Sequence, residues 1–145
     1  MIKTDRFLVQ KYLEKPMLIM NRKFDLRIWV MVTPQLRCYV FPEGYVRLTS
    51  MDFSCTDSED NPFMHLTNHA VQRFANGYGG LADGNQLPFS ALREEMDQQG
   101  LNYEECIATI YSHIRVSLKA TIKQFNPMAR KFCFQILGYD FMIDR

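Results

Sequence analysis

The chain has 145 residues and a formal net charge of +1, from 17 basic and 16 acidic side chains. Its composition, 47% hydrophobic and 23% charged, is that of a globular protein, and the charge balance argues against a dedicated nucleic-acid binder. No apolar run approaches the roughly 20 residues of a membrane span, and Met1 to Arg6 are too polar for a secretory leader. One cytoplasmic domain over residues 1–145, with no nucleic-acid or membrane partner, is therefore expected.

The first third alternates. Phe7 to Leu13 has strand composition and is closed by Pro16. A short apolar run, Met17 to Met20, leads to a turn signal at Asn21-Arg22. The clearest strand follows at 23–33, then another at Leu36 to Phe41, and Pro42-Glu43-Gly44 turns the chain into a strand at Tyr45 to Thr49. Such close spacing predicts an antiparallel meander. Residues 50–64 and 76–86 read as loops. A short helix capped by Ser90 stops at Gly100. Asn102 and Glu105 resemble a capping box, and behind it Tyr103, Ile107, Ile110, Tyr111, Ile114, Leu118, Ile122 and Phe125 recur at helical spacing until Pro127. The final stretch, Phe132 to Ile143, is an apolar strand interrupted by Gly138. The four cysteines, Cys38, Cys55, Cys106 and Cys133, are too dispersed for a disulfide or zinc framework and read as reduced fillers of apolar space.

In the strand at 23–33, Phe24, Leu26, Ile28, Val30 and Val32 share one face and Lys23, Asp25 and Arg27 the other. Spacing alone admits two readings of that second face. It is a solvated charge ladder, or a wall suited to phosphate and carboxylate ligands, with arginine offering a bidentate fork. Arg47 on a nearby strand is either a third cation of that wall or an ordinary surface arginine. His65 and His69 have the four-residue spacing of one helical face, but no zincin glutamate or third ligand accompanies them. Thr67 and Asn68 are polar ligand contacts or a helix cap. Asp140, at the end of an apolar strand, needs a partner or a cation such as magnesium.

Together these stretches resemble the tubulin–tyrosine ligase family of the ATP-grasp superfamily. The resemblance rests on Val9-Gln10-Lys11-Tyr12-Leu13-Glu14-Lys15-Pro16, Arg22-Lys23-Phe24-Asp25-Leu26-Arg27, Glu43-Gly44 with Arg47, His65-Leu66-Thr67-Asn68, and Gln135 to Met142. It implies an α+β, ATP-grasp-like fold with a largely antiparallel sheet and packed helices, incomplete at both ends. Gln10, Lys11, Tyr12 and Leu13 then resemble an adenine hinge. Lys23, Asp25, Arg27 and Arg47 resemble the groups around the phosphates and the reacting carboxylate. Thr67 and Asn68 resemble ribose contacts, and Asp140 a magnesium ligand. The implied activity is ATP- and Mg²⁺-dependent ligation of a free amino acid to the C-terminal glutamate of the α-tubulin tail through an acyl-phosphate, by a microtubule-associated protein. His69, Gln72, Gly77-Tyr78-Gly79 and Gly84-Asn85 look most like the tyrosine ligase; a polyglutamylase-type ligase and a non-catalytic nucleotide- or tubulin-binding relative are the alternatives. The family's Trp-Leu-x-Glu-Val-Asn strand does not follow Asp140, so the chain alone is expected to be inactive.

Overall fold

A computed structural model describes residues 7–54 and 61–144. Cys55 and the loop residues 57–60 lie outside the described residues. The chain is α+β: six antiparallel strands, β1 (Leu18–Ile19), β2 (Arg22–Val32), β3 (Cys38–Val40), β4 (Tyr45–Leu48), β5 (Gln86–Pro88) and β6 (Gln135–Phe141), with the two longest helices packed on the core face.

The eleven-residue β2 is the spine. Its β-branched and aromatic alternation suits a strand buried on one face, and Phe24, Leu26, Ile28, Val30 and Val32 are all within 2% of complete burial. β1 reaches it through a two-residue hairpin in which Met20 and Asn21 adopt φ of 50° and 61°, the left-handed pair of a type I′ turn. β4 pairs with the first half of β2, β3 with its end, and β6 with residues 26–32. That register sets Arg47 opposite Asp25, and Asp140 opposite Arg27.

Helices α1 (Pro62–His65), α2 (His69–Gln72), α3 (Phe89–Gln98) and α4 (Tyr103–Thr121) follow the loops. α4 starts where the Asn102 side chain accepts from the Glu105 amide at 3.2 Å, a cap worth about 1 kcal/mol. Its Ile107, Ile110, Ile114 and Leu118 pack on the core face of the sheet, while Tyr111 stays exposed.

Four expectations are corrected. Residues 7–13 form no strand and are mostly exposed, because no described strand lies beside them to complete a ladder. α3 begins at Phe89 behind Pro88, so Ser90 is inside the helix rather than its cap. His65 and His69 do not share a helical face, since the chain breaks at Leu66–Asn68 between α1 and α2. Cys38 is exposed rather than a filler, whereas Cys106 and Cys133 are partly buried. Burial pushes the Cys106 thiol up.

Candidate functional site

The alternation that buries Phe24 and Leu26 delivers Lys23, Asp25 and Arg27 to the opposite face, where β4 adds Arg47 and β6 adds Asp140. This face is not a solvated ladder. Lys23, Asp25 and Arg47 are only 4%, 7% and 7% exposed. The Arg47 guanidinium donates bidentately to Asp25, with Nε to Oδ1 at 2.8 Å and Nη2 to Oδ2, and its Nη2 also lies 3.0 Å from Asp140 Oδ2. Arg27 donates to the same Asp140 carboxylate, from Nε at 2.5 Å and Nη2 at 3.2 Å. Asp25, Arg47, Asp140 and Arg27 thus form a continuous chain of alternating charge.

The hydrogen bonds with Asp25, then its charge and those of Asp140, hold the Arg47 guanidinium firmly protonated against the opposing effect of burial. Burial pushes the Asp140 carboxyl upward, yet hydrogen bonds and charge from Arg27 and Arg47 together outweigh it and hold it below the ordinary carboxylate range. A carboxyl depressed on folding favours the native state above its unfolded pKa, and the gain disappears as pH falls through the folded value. Asp140→Asn is therefore expected to flatten the acid limb of a stability–pH profile; superimposable limbs for the two proteins would contradict the pairing.

Gly138 shows why a glycine interrupts β6. A Cβ there would stand 3.1 Å from Arg27 Cδ and 3.2 Å from both Arg27 Nη1 and the Trp29 ring. Its absence lets the guanidinium lie across the strand, 5.2 Å from the Trp29 ring centroid, and reach Asp140.

Lys23 has a different setting. Its Nζ donates to Tyr12 Oη at 3.0 Å and stands 4.4 Å from the Tyr12 ring centroid and 6.0 Å from that of Phe53. Tyr12 Oη in turn lies 2.8 Å from His65 Nδ1, and the His65 ring meets Tyr12 and Phe53 edge-on. Of the four hinge candidates, the structure brings Tyr12 to Lys23; Lys11, Tyr12 and Leu13 border a depression of about 370 Å³, and Gln10 is exposed. Thr67 and Asn68 occupy the break between α1 and α2, and among the described residues their side chains make no hydrogen bond. Phe53 escaped sequence reasoning, because a lone aromatic in a polar loop carries no local signal.

Gln72 and Asn85 prove to be scaffolding. Gln72 is fully buried, accepting from the Ser50 amide and donating to the carbonyls of Phe63 and Leu66. Asn85, 2% exposed, ties Leu48 O and Ser50 Oγ to the Gly79 amide. Side chains so enclosed cannot select an incoming amino acid. His69 packs edge-on against Tyr78.

Magnesium needs near-octahedral oxygen ligation, drawn from carboxylates, phosphates and water. Both Asp140 oxygens are engaged by guanidiniums, and among the described residues no cluster of three His, Cys, Asp or Glu side chains could hold a metal. The described residues do not by themselves fit that ion. No helix among them is long and apolar enough to cross a membrane.

The model of the tubulin-tyrosine ligase family matches residues 1–145. The chain is 37% identical to tubulin glycylase 3B of Tetrahymena thermophila over 98% of its own length and 12% of the relative's. It is 36% identical to the mouse (Mus musculus) tubulin monoglutamylase TTLL4 over 94% of the chain and 13% of the relative. With a probable alpha-tubulin polyglutamylase, Ttll1 of Tetrahymena thermophila, it shares 33% identity over 97% of the chain and 34% of the relative. It therefore spans about a third or less of the length of these relatives. With the family model matching its whole length and relatives 33–37% identical over nearly all of it, the chain belongs to the tubulin-tyrosine ligase family.

Proposed function

We propose that this chain forms the phosphate- and carboxylate-binding part of an ATP-grasp ligase domain that adds an amino acid to tubulin. The observation that carries the reading is the convergence of three cations, Lys23, Arg27 and Arg47, on one largely buried sheet face. Burial strengthens such charges toward an anion relative to their strength in water.

In this reading the backbone of Gln10 to Leu13 borders the adenine, Thr67 and Asn68 contact the ribose, and Lys23 meets phosphate oxygens. Arg27 and Arg47 bring an acceptor carboxylate and the γ-phosphate together by cancelling their mutual repulsion, and Asp25 holds Arg47 in place. The carboxylate oxygen attacks the γ-phosphorus and ADP leaves. The amine of the incoming amino acid then attacks the acyl carbon, forms the amide, loses its proton to solvent or buffer, and expels phosphate.

Glutamate is the preferred donor and glycine the second reading. Two of the three relatives above are glutamylases by name and the third a glycylase. Tyrosine, suggested by His69, Gln72, Gly77-Tyr78-Gly79 and Gly84-Asn85, has no support among these relatives. The acceptor is a glutamate of a tubulin tail.

Calorimetric titration of the chain with ATP tests the nucleotide half. Binding is expected, with a roughly tenfold or greater loss in Lys23→Ala, the cost of one charge-assisted hydrogen bond. An absence of ATP binding, or full affinity in Lys23→Ala and Arg27→Ala alike, overturns it. Mass spectrometry of tubulin tails after reaction with the native protein reads the amino acid added.

A further inference from the structure

On the helix-covered side of the sheet, away from the charged wall, a groove of about 320 Å³ runs between β3 and α4. One wall is formed by Leu36, Cys38 and Val40. The other is formed by Tyr111, Leu118 and Ile122, with Ile114 beneath them. Arg115 and Lys119 line it from α4, and both are exposed.

Charge is strongly segregated here although the chain as a whole is nearly neutral. Residues 106–139 contain five Lys and Arg (Arg115, Lys119, Lys123, Arg130 and Lys131) and no Asp or Glu. The facing segment, residues 32–42, has Arg37 and again no acid. Among the described residues Arg37, Arg115, Lys119 and Lys123 have no ion-pair partner. A third observation concerns the backbone. β3 pairs with β2 alone, so among the described residues its outer edge has no strand beside it.

An apolar trough, a rim of one sign and an open strand edge call for the same occupant. We propose that the β3–α4 groove binds an extended acidic peptide, whose backbone adds to the edge of β3, whose apolar side chains fill the trough, and whose carboxylates meet Arg115 and Lys119. The occupant is a partner segment rather than a small molecule, because a strand edge is satisfied by backbone amides and carbonyls in series. The inference does not depend on the ligase reading, since the groove shares no residue with the charged wall.

The test uses a fluorescent peptide of about ten residues, a long strand's length, alternating glutamate and valine, with anisotropy as the readout on the native chain. Saturable binding that weakens with salt is expected, together with slower alkylation of the exposed Cys38 thiol when peptide is bound. The double substitution Arg115→Glu/Lys119→Glu is expected to weaken binding at least about fivefold. These side chains are exposed, so thermal unfolding should be nearly unchanged; if it is not, Arg115→Gln/Lys119→Gln serves instead. Equal affinity of native and substituted chains, unaltered Cys38 alkylation, or equal binding of a glutamate–serine peptide overturns the proposal. So does a preference for phosphatidylserine vesicles over the peptide, or self-association of the chain through this face.

Discussion

Arg47→Met is expected to destabilise the chain by about 3–5 kcal/mol, because it strands a buried carboxylate. Asp25 is 7% exposed, and its hydrogen bonds come from Arg47 alone among the described residues. Methionine fills much of the arginine's volume, so the loss measures charge rather than space. The control is Arg47→Met/Asp25→Leu. Replacing both partners by apolar groups removes the penalty, and the double variant is expected to recover most of the stability. Urea unfolding of the native chain, Arg47→Met, Asp25→Leu and the double variant checks this; a loss in Arg47→Met below about 1 kcal/mol would show that the pair is better solvated than its burial implies. The same set separates structure from ligand binding. A double variant that folds well yet binds ATP poorly assigns the Arg47–Asp25 pair to the anion site as well as to the sheet.

Gly44→Ala should cost about 1–3 kcal/mol, as overpacking does where neighbours cannot retreat. The sequence places Gly44 in a tight turn, but β3 and β4 do not reverse on one another: both run antiparallel to β2 along the same edge, with Val40 opposite Val30 and Tyr45 opposite Arg27, so Pro42-Glu43-Gly44 bulges between them. What Gly44 supplies is room. A Cβ would sit 2.5 Å from the Arg27 carbonyl oxygen and run into the Phe89 ring. A ring can rotate or be trimmed, but a carbonyl in the central strand cannot move without carrying its neighbours along. Adding Phe89→Leu to Gly44→Ala is therefore expected to restore little. Displacing Arg27 also disturbs its guanidinium beside Trp29, the single tryptophan, so the emission spectrum should change with stability. Full rescue by Phe89→Leu would place the conflict in the ring alone.

Several features were legible locally. The two faces of β2, the Asn102 cap and the apolar stripe of α4 each depend on residues a few positions apart, whose mutual geometry the strand or helix repeat already determines. The strand composition of residues 7–13 misled for the complementary reason. Composition expresses a preference for a pleated surface, whereas a ladder requires a second strand beside it. His65 and His69 misled because four-residue spacing means one face only when the helix is continuous, and here Leu66–Asn68 interrupts it.

The charged wall divides along the same line. That Lys23, Asp25 and Arg27 share a face follows from one strand alone, since side chains alternate with a period of two. What those charges do depends on strands far away in the chain. Arg27 and Asp140 are 113 residues apart, and the register of β6 against β2 sets them opposite one another. The register of β4 does the same for Asp25 and Arg47. Register is set by packing of the whole sheet against α3 and α4, and a slip of one residue would turn each charged partner to the core face. Whether a row of charges is a solvated ladder or a buried, mutually paired wall is therefore a property of strand pairing, which no single strand contains.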